Sequence, residues 1–307
     1  MRYIKKLTLL LMLTIFLLFS CGTNHKLTPP ENVNILEFGT ESTLEVVTWN
    51  LKTFPVNNNT VQTISQIIPQ FKVDIIACQE VMDQNAFYQL ASAIPQYEAL
   101  VSNATSSYRL AYLYNKETVQ VNEVYPIFIG ESNPFPRPPY VLDFNYKGLN
   151  FICINNHLKA LGDDYIDESD SWDEEVRRRL ACQKLDQYIT EHYPDRRVIV
   201  VGDMNDQIAE PPSTNVFQVF LDKPDEYYFT DYPIALNPTY DNVSYPHYSP
   251  PSHLDHILIT NELFDAFAQA DSVCRVIKVE DYMGSWSTYS SIISDHRPLG
   301  VRLYFSR

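Results

Sequence analysis

Amides, carboxylates and imidazoles flank a series of apolar runs along this chain. Val46-Val47-Thr48-Trp49-Asn50 ends on an amide, and Asp74-Ile75-Ile76-Ala77-Cys78-Gln79-Glu80 ends on a carboxylate. Ile152-Cys153-Ile154-Asn155-Asn156-His157 ends on Asn and His, and Val198-Ile199-Val200-Val201-Gly202-Asp203-Met204-Asn205 on Asp-x-Asn. Ser252-His253-Leu254-Asp255-His256 and Ser294-Asp295-His296-Arg297-Pro298 complete the series. Such groups can hold a divalent cation, pass a proton to or from water and donate to a developing oxyanion, which are the requirements of metal-assisted hydrolysis. Singly, each has a commoner explanation. Asn50 or Glu80 can cap a turn or helix, Gly202–Asn205 can be a plain turn, and His157 can be a structural histidine. Their joint occurrence beside so many apolar runs is what caps do not explain.

The runs themselves read as strands: Leu44–Trp49, Val73–Cys78, Arg109–Tyr114, Leu149–Asn155, Val198–Val201, Leu254–Thr260, Val273–Val279 and Pro298–Phe305. Their continuous apolar character predicts strands covered on both faces. Helices are expected over Val61–Ile68, stopped by Pro69, over Ala86–Ile94, stopped by Pro95, and over Ser171–Tyr193 with Val176, Leu180, Leu185 and Ile189 on its buried face. Strands and helices mixed without strict alternation imply an α/β fold in which sheet packs on sheet. The strand ends would then meet at one crevice. Pro-rich segments Asn133–Pro139 and Tyr245–Pro251 read as surface loops.

The ordered set Trp49-Asn50-Leu51, Gln79-Glu80, Asn155-Asn156-His157, Gly202-Asp203-Met204-Asn205 and Ser294-Asp295-His296 resembles the DNase-I-like endonuclease/exonuclease/phosphatase superfamily, over residues 44–305. That resemblance implies a four-layer α/β/β/α sandwich of two packed mixed sheets and a Mg²⁺-dependent phosphodiesterase, with Mn²⁺ as a substitute. It implies that Glu80, Asn50 and Asp295 hold the metal. His296 becomes the base that activates water, or the group that meets the phosphate as charge develops, with Asp255 as its partner. Asp203 would align the nucleophile or bind a second metal. Asn205 would donate to the phosphate, and His157 would serve as acid or phosphate ligand. Asn155 would support His157 and the phosphate, and Arg109 would contact the phosphate. One departure stands out: Ser107-Tyr108-Arg109-Leu110 has Tyr where pancreatic-type deoxyribonucleases carry the Glu that orients the second histidine, so His157 should be held differently.

Composition narrows the substrate less. The chain carries a net charge of −15, and without the three cations of its first 20 residues −18. Such a balance excludes broad coating of nucleic acid, which needs many Lys and Arg on phosphates, but not a phosphate taken through a bound cation. The Tyr-rich stretches (Tyr227-Tyr228, Tyr240, Tyr245, Tyr248) could stack on bases or pack on one another. Glu174–Arg178 and Glu175–Arg179 read as surface ion pairs worth about 0.3–0.5 kcal/mol each. Of the cysteines, Cys78 and Cys153 sit in apolar runs and read as small buried hydrophobes. Residues 1–20, basic and then apolar, read as a secretory leader. Cys21 resembles a lipidated cysteine, residues 21–42 a tether, and 43–307 the enzyme domain. The expectation is a monomeric exported lipoprotein, periplasmic or at the cell surface, that hydrolyses a phosphodiester, with nucleic acid as the first choice of substrate. The alternatives are a phosphatase or phospholipase C-like enzyme on a sugar or lipid phosphate, and a binding lipoprotein without turnover.

Overall fold

The computed structural model describes residues 35–305 apart from residue 248, so the leader, Cys21 and most of the tether lie outside the described residues. In chain order the main elements are β1 (Thr43–Phe54), α1 (Thr60–Phe71), β2 (Ile75–Val81), α2 (Gln84–Ser92), β3 (Tyr97–Val101), β4 (Arg109–Asn115) and β5 (Val119–Pro126). There follow β6 (Tyr140–Tyr146), β7 (Leu149–His157), α3 (Glu174–His192), β8 (Arg197–Asp203), β9 (Tyr227–Phe229), β10 (Asp255–Thr260), β11 (Val273–Val276) and β12 (Leu299–Tyr304). One six-stranded sheet runs β11-β12-β1-β2-β4-β3 and the other β5-β6-β7-β8-β10-β9. Both are mixed, with β1–β2 and β7–β8 parallel.

Three apolar layers hold the four structural layers together, as the resemblance implied. Leu44, Val46, Ile75, Ala77 and Tyr112 of the first sheet meet Phe144, Phe151, Cys153, Ile199, Val201 and Ile257 of the second. The alternate residues Val47, Trp49, Ile76 and Cys78 face away and pack on Ile64, Ile68 and Phe71 of α1 and Phe87 and Leu90 of α2. On the other side Ile152, Ile154, Val198 and Val200 pack on Ala181, Cys182, Leu185 and Ile189 of α3. Side chains on a strand alternate between faces, so double coverage turns a half-polar pattern into an unbroken apolar one.

Polar struts cross the central layer. Gln79 Nε2 donates to Asn155 Oδ1 at 2.7 Å, and Asn155 Nδ2 donates to the carbonyls of Cys78 (3.0 Å) and Ala111 (3.1 Å). Tyr112 Oη donates to the carbonyls of Tyr140 (2.7 Å) and Cys153 (3.0 Å). Asn155 is fully buried by these bonds. It therefore ties sheet to sheet beneath the crevice rather than touching substrate phosphate, a correction to the role the resemblance gave it.

Several local expectations also change. Helix α1 runs through Pro69 to Phe71 and stops on Lys72, whose φ of 55° is left-handed. Proline's fixed φ suits a helix, and one missing amide near the end is outweighed by burying Phe71. The body begins before Thr43, because Leu36 and Phe38 are buried and the amides of Phe38 and Gly39 donate to Phe71 O at 3.0 and 2.9 Å. The expected i,i+4 pairs on α3 do not form. Arg178 instead pairs with Glu175 (3.0 Å) and Asp206 (2.6 Å) in the interior, Arg179 with Glu168 (2.6 Å) and Glu174 with Lys159 (3.0 Å). Val176 and Leu180 are only half-buried. The buried residues of α3 instead include Arg177 and Arg178, held by carbonyls of Ser132, Asn133, Lys159 and Leu161, and Ala181, Cys182, Leu185 and Ile189, which face the sheet.

Asn155→Ala removes all three sheet-to-sheet bonds of this side chain and strands buried partners, so it should cost about 2–3 kcal/mol. A urea melt with an unshifted midpoint would show that the strut contributes nothing.

Candidate active site

The crevice forms where inward-facing positions turn from apolar to polar at one edge of the sandwich. On β1 the inward series Leu44, Val46, Thr48 ends at Asn50; on β2 Ile75 and Ala77 lead to Gln79. On β7 Phe151, Cys153 and Asn155 lead to His157, and on β8 Ile199 and Val201 lead to Asp203. Asp255 opens the antiparallel β10 directly opposite Asp203, while His157 is the residue across from Asp203 on the other flank. Strand parity thus aims all of them into one space.

Glu80 breaks that parity. It follows an inward residue and should face the helices, but the β2 pairings shift register around it and its φ is 59°. The bulge turns its carboxylate back into the crevice, where Asn50 Nδ2 (3.2 Å) and the Thr53 amide (2.8 Å) donate to it. A left-handed conformation at a non-glycine residue costs about 1 kcal/mol and persists where its surroundings over-determine it. Gly202 is required for a different reason. Its φ is 147°, and a Cβ there would lie 2.1 Å from the carbonyl oxygen of Asn156, so only glycine lets β8 approach β7 just before Asp203.

Asn50 Nδ2 also donates to Asp203 Oδ2 at 2.8 Å, while its Oδ1 accepts from the Lys52 amide at 2.9 Å. His157 Nε2 lies 3.9 Å from Glu80 Oε1 and 3.6 Å from Asp203 Oδ2. His296 Nε2 lies 3.8 Å from the same Asp203 oxygen, and His296 Nδ1 donates to Asp255 Oδ2 at 2.7 Å. Three carboxylates, two imidazoles and an amide therefore share one space. Ser294 Oγ donates to the Asn50 carbonyl at 2.6 Å and accepts from the His296 amide, which fixes the histidine turn to β1.

Electrostatics separates the two histidines. Burial, and then the charges of Arg137 and His296, hold His157 well below the usual imidazole range, so it is neutral. Its buried Nδ1 has no hydrogen-bond partner, in keeping with the missing orienting Glu. Burial also works against the charge on His296, but the Asp255 and Asp203 carboxylates outweigh it and raise the ring to about 10. Burial raises Asp203 to about 6 despite the His296 charge beside it. In the resting site the proton therefore belongs on His296 rather than on Asp203.

The remaining assigned residues fall at the margins. Asp295 pairs with Lys52 Nζ at 3.0 Å. Asn205, at φ 54°, donates its amide N–H to Asp203 Oδ1 at 3.1 Å and its side chain to Leu158 O at 3.3 Å. Arg109 directs Nη1 to Met82 O at 2.9 Å. The guanidinium set against the carboxylates is instead Arg137, from the loop read only as Pro-rich surface. Burial lowers its pKa and the charges of Glu80 and Asp203 oppose that, and it lies 5.4 Å over the ring of Tyr108. Only its place amid Pro134, Pro136, Pro138 and Pro139, a stiff loop before β6, could have drawn attention to it. Tyr245 lies against His296, ring centroids 4.6 Å apart. The other tyrosines mostly pack within the protein: Tyr227 on Phe220, Tyr228 on Phe267 and Tyr240 beneath Arg297. Tyr248 lies outside the described residues.

Residues 47–296 match the Endonuclease/Exonuclease/phosphatase family. The chain belongs to that family. Among solved structures it is similar to D. rerio TDP2 complexed with a single-strand DNA product, at 15% identity and TM-score 0.62, over 86% of this chain and 100% of that one. It is similar to an endonuclease/exonuclease/phosphatase from Bacteroides vulgatus, at 15% identity and TM-score 0.60, over 87% and 100%. A mannosyl-6-phosphatase from Bacteroides thetaiotaomicron aligns at 15% identity and TM-score 0.57, over 85% and 100%. These likenesses establish the DNase-I-like fold. No curated protein sequence matches the chain.

The family's divalent cation fits the donor set. Glu80 is a hard carboxylate, its side chain 19% exposed, and Asp203, buried to 2%, sits behind the same amide. Two like charges held this close on a single N–H donor group favour a cation between or beside them, and oxygen donors suit Mg²⁺ or Mn²⁺. Glu80→Gln should raise the metal concentration needed for half-maximal activity by about 10-fold or more, and a superimposable metal titration would take Glu80 out of the site. Arg137→Ala should lower kcat/KM by about 10²-fold with little change in thermal midpoint; unchanged kinetics would leave the guanidinium without a role.

Proposed function

We propose that the protein is a divalent-metal-dependent phosphodiesterase, acting most readily on nucleic acid. The observation that carries this reading is the convergence of Glu80, Asp203, His157, His296 and Arg137 on one crevice. Nucleic acid is supported by Arg137 lying over the half-exposed ring of Tyr108 at the rim, an arrangement suited to a phosphate beside a base. A DNA-bound structure of the same fold agrees with it.

A cation held by Glu80, with Asn50 and Asp295 shaping its surroundings, would draw charge from the phosphate oxygens and acidify a bound water. Arg137 anchors the phosphate against the charge of Glu80 and Asp203. Asp203 is the unprotonated member of its pair with His296, so it accepts the proton of the attacking water as the water oxygen bonds to phosphorus and the bond to the leaving oxygen breaks, that oxygen taking a proton from solvent. Asp255 fixes the ring of His296 through Nδ1, so that the proton on Nε2 faces the phosphate as negative charge builds. His157, neutral and with Nε2 3.6 Å from Asp203, offers that nitrogen to the same oxygens. Asn50 keeps the two carboxylates in register.

We propose further that Cys21 carries a lipid and residues 21 to about 35 tether the domain to a bacterial membrane, on the strength of the leader-like sequence before it. Metabolic labelling with a fatty acid that persists in Cys21→Ala would remove the anchor.

The decisive assay gives the purified domain Mg²⁺ or Mn²⁺ with single-stranded and plasmid DNA, RNA, bis-p-nitrophenyl phosphate, p-nitrophenyl phosphate, sphingomyelin and sugar phosphates. Diester cleavage is expected; turnover of monoesters alone would make the protein a phosphatase. His296→Ala should lower kcat by several orders of magnitude with the fold retained. The rate should fall below about pH 6 as Asp203 takes up a proton and above about pH 10 as His296 loses one. A profile flat across both limbs would refute these roles.

A further inference from the structure

Behind the crevice lies a second cluster of buried titratable groups that the proposed reaction does not use. Asp231, His253 and His256 are at most 1% exposed. Asp231 Oδ2 accepts from His256 Nδ1 at 2.6 Å and from His253 Nε2 at 3.1 Å, and Asp231 Oδ1 accepts from the Ile257 amide at 2.9 Å. Three such groups could hold a metal ion, but the hydrogen-bond directions argue otherwise. His253 Nδ1 faces the Ser244 N–H at 3.1 Å and must accept from it, so the ring's proton is on Nε2, pointing at Asp231. A metal on Nε2 would require this histidine to lose both protons. His256 Nε2 donates to the Asp206 carbonyl at 2.8 Å, so both of its nitrogens carry protons and it forms a buried ion pair with Asp231.

The outer ends of this cluster reach the segments that carry the site. His256 holds the carbonyl of Asp206, the residue after Asn205. His253 holds the amide of Ser244, whose hydroxyl accepts from the amides of Leu254 (3.2 Å) and Asp255 (3.1 Å) and whose carbonyl accepts from the Arg297 amide at 2.7 Å. One carboxylate thus fixes the backbone beside Asp203, Asp255 and His296, which lie far apart in sequence.

We propose that Asp231 is a positioning residue, which through His256 and His253 sets the alignment of Asp203 with the Asp255–His296 pair. The proposal rests on the phosphoester-hydrolase reading for its kinetic test but not for its spectroscopic one. Asp231→Asn should lower kcat on bis-p-nitrophenyl phosphate with Mn²⁺ by about 10–100-fold, with KM changed less than about threefold. The downfield proton of His296 Nδ1, assigned by its absence in His296→Ala, should shift or broaden in the same variant, whether or not the wild type turns over. Phe217→Leu is the control, since Phe217 packs edge-on against His256 at 5.4 Å and the change breaks none of these bonds. It should lower the thermal midpoint and leave both readouts alone. If Asp231→Asn does not fold, His256→Gln carries the same measurements. Folded Asp231→Asn with wild-type kcat and an unmoved His296 proton would overturn the proposal. So would a kcat loss in Phe217→Leu as large as that in Asp231→Asn, or stoichiometric zinc that is lost in His253→Gln. A wild type inactive on every phosphoester, with the His296 signal still displaced in Asp231→Asn, would count against the hydrolase reading alone.

Discussion

A single amide nitrogen holds the site together. Asn50 Nδ2 donates to Glu80 on its own sheet and to Asp203 on the facing sheet, at 3.2 and 2.8 Å. Two carboxylates so placed repel, and burial adds to the cost of charging Asp203. The arrangement is stable only because the rest of the fold fixes Asn50. Its neighbour Trp49 lies in the helix-side core and donates to Tyr289, which in turn donates to the His296 carbonyl. Ser294 closes the loop by binding the Asn50 carbonyl. The like-charge pair that a cation would relieve is thus locked in before any cation arrives, which is preorganisation in its electrostatic sense.

The same frame explains how an acidic protein could handle a phosphate. Its net charge is −15, yet the groups nearest the crevice include Arg137 and a histidine whose carboxylate partners keep it protonated. Local field, not overall charge, decides what a pocket accepts. His157 shows the converse. Burial first, and then the charges of Arg137 and His296, keep it neutral although it lies 3.6 Å from Asp203, and no carboxylate meets its Nδ1. Two imidazoles in one space are thereby given different protonation states by what lies behind each.

Irregular backbone accompanies function here. The bulge at Glu80 and the glycine conformation at Gly202 are both departures from ideal strands, and each delivers a carboxylate to the crevice. Ordinary alternation would have sent Glu80 into the layer beneath α1 and α2. The residues at the strand ends are the same types that commonly cap turns, and their function lies in which face the strand presents at that point.

Most of the strands, the three long helices and the motif residues Asn50, Glu80, His157, Asp203, Asp255 and His296 were legible in the sequence, because double burial writes an unbroken apolar run and polar groups at its end interrupt it. Strands β3, β5, β6 and β9 escaped: β3 and β5 are edge strands with exposed residues, β9 is an edge strand of three residues, and β6 is broken by Asp143 and Asn145. Arg137 escaped because a proline-rich loop gives no periodic signal. Asn155 was read as a phosphate contact because the sequence cannot say how deep along an inward-facing series the solvent reaches. The i,i+4 charge pairs on α3 followed from helix geometry alone, and the interior claimed Arg178 for Asp206 instead. Sequence fixes local pattern through bonded geometry and the alternation of side chains. Depth, partner choice and protonation depend on groups hundreds of residues apart, and only the packing of one sheet on the other brings those within ångströms.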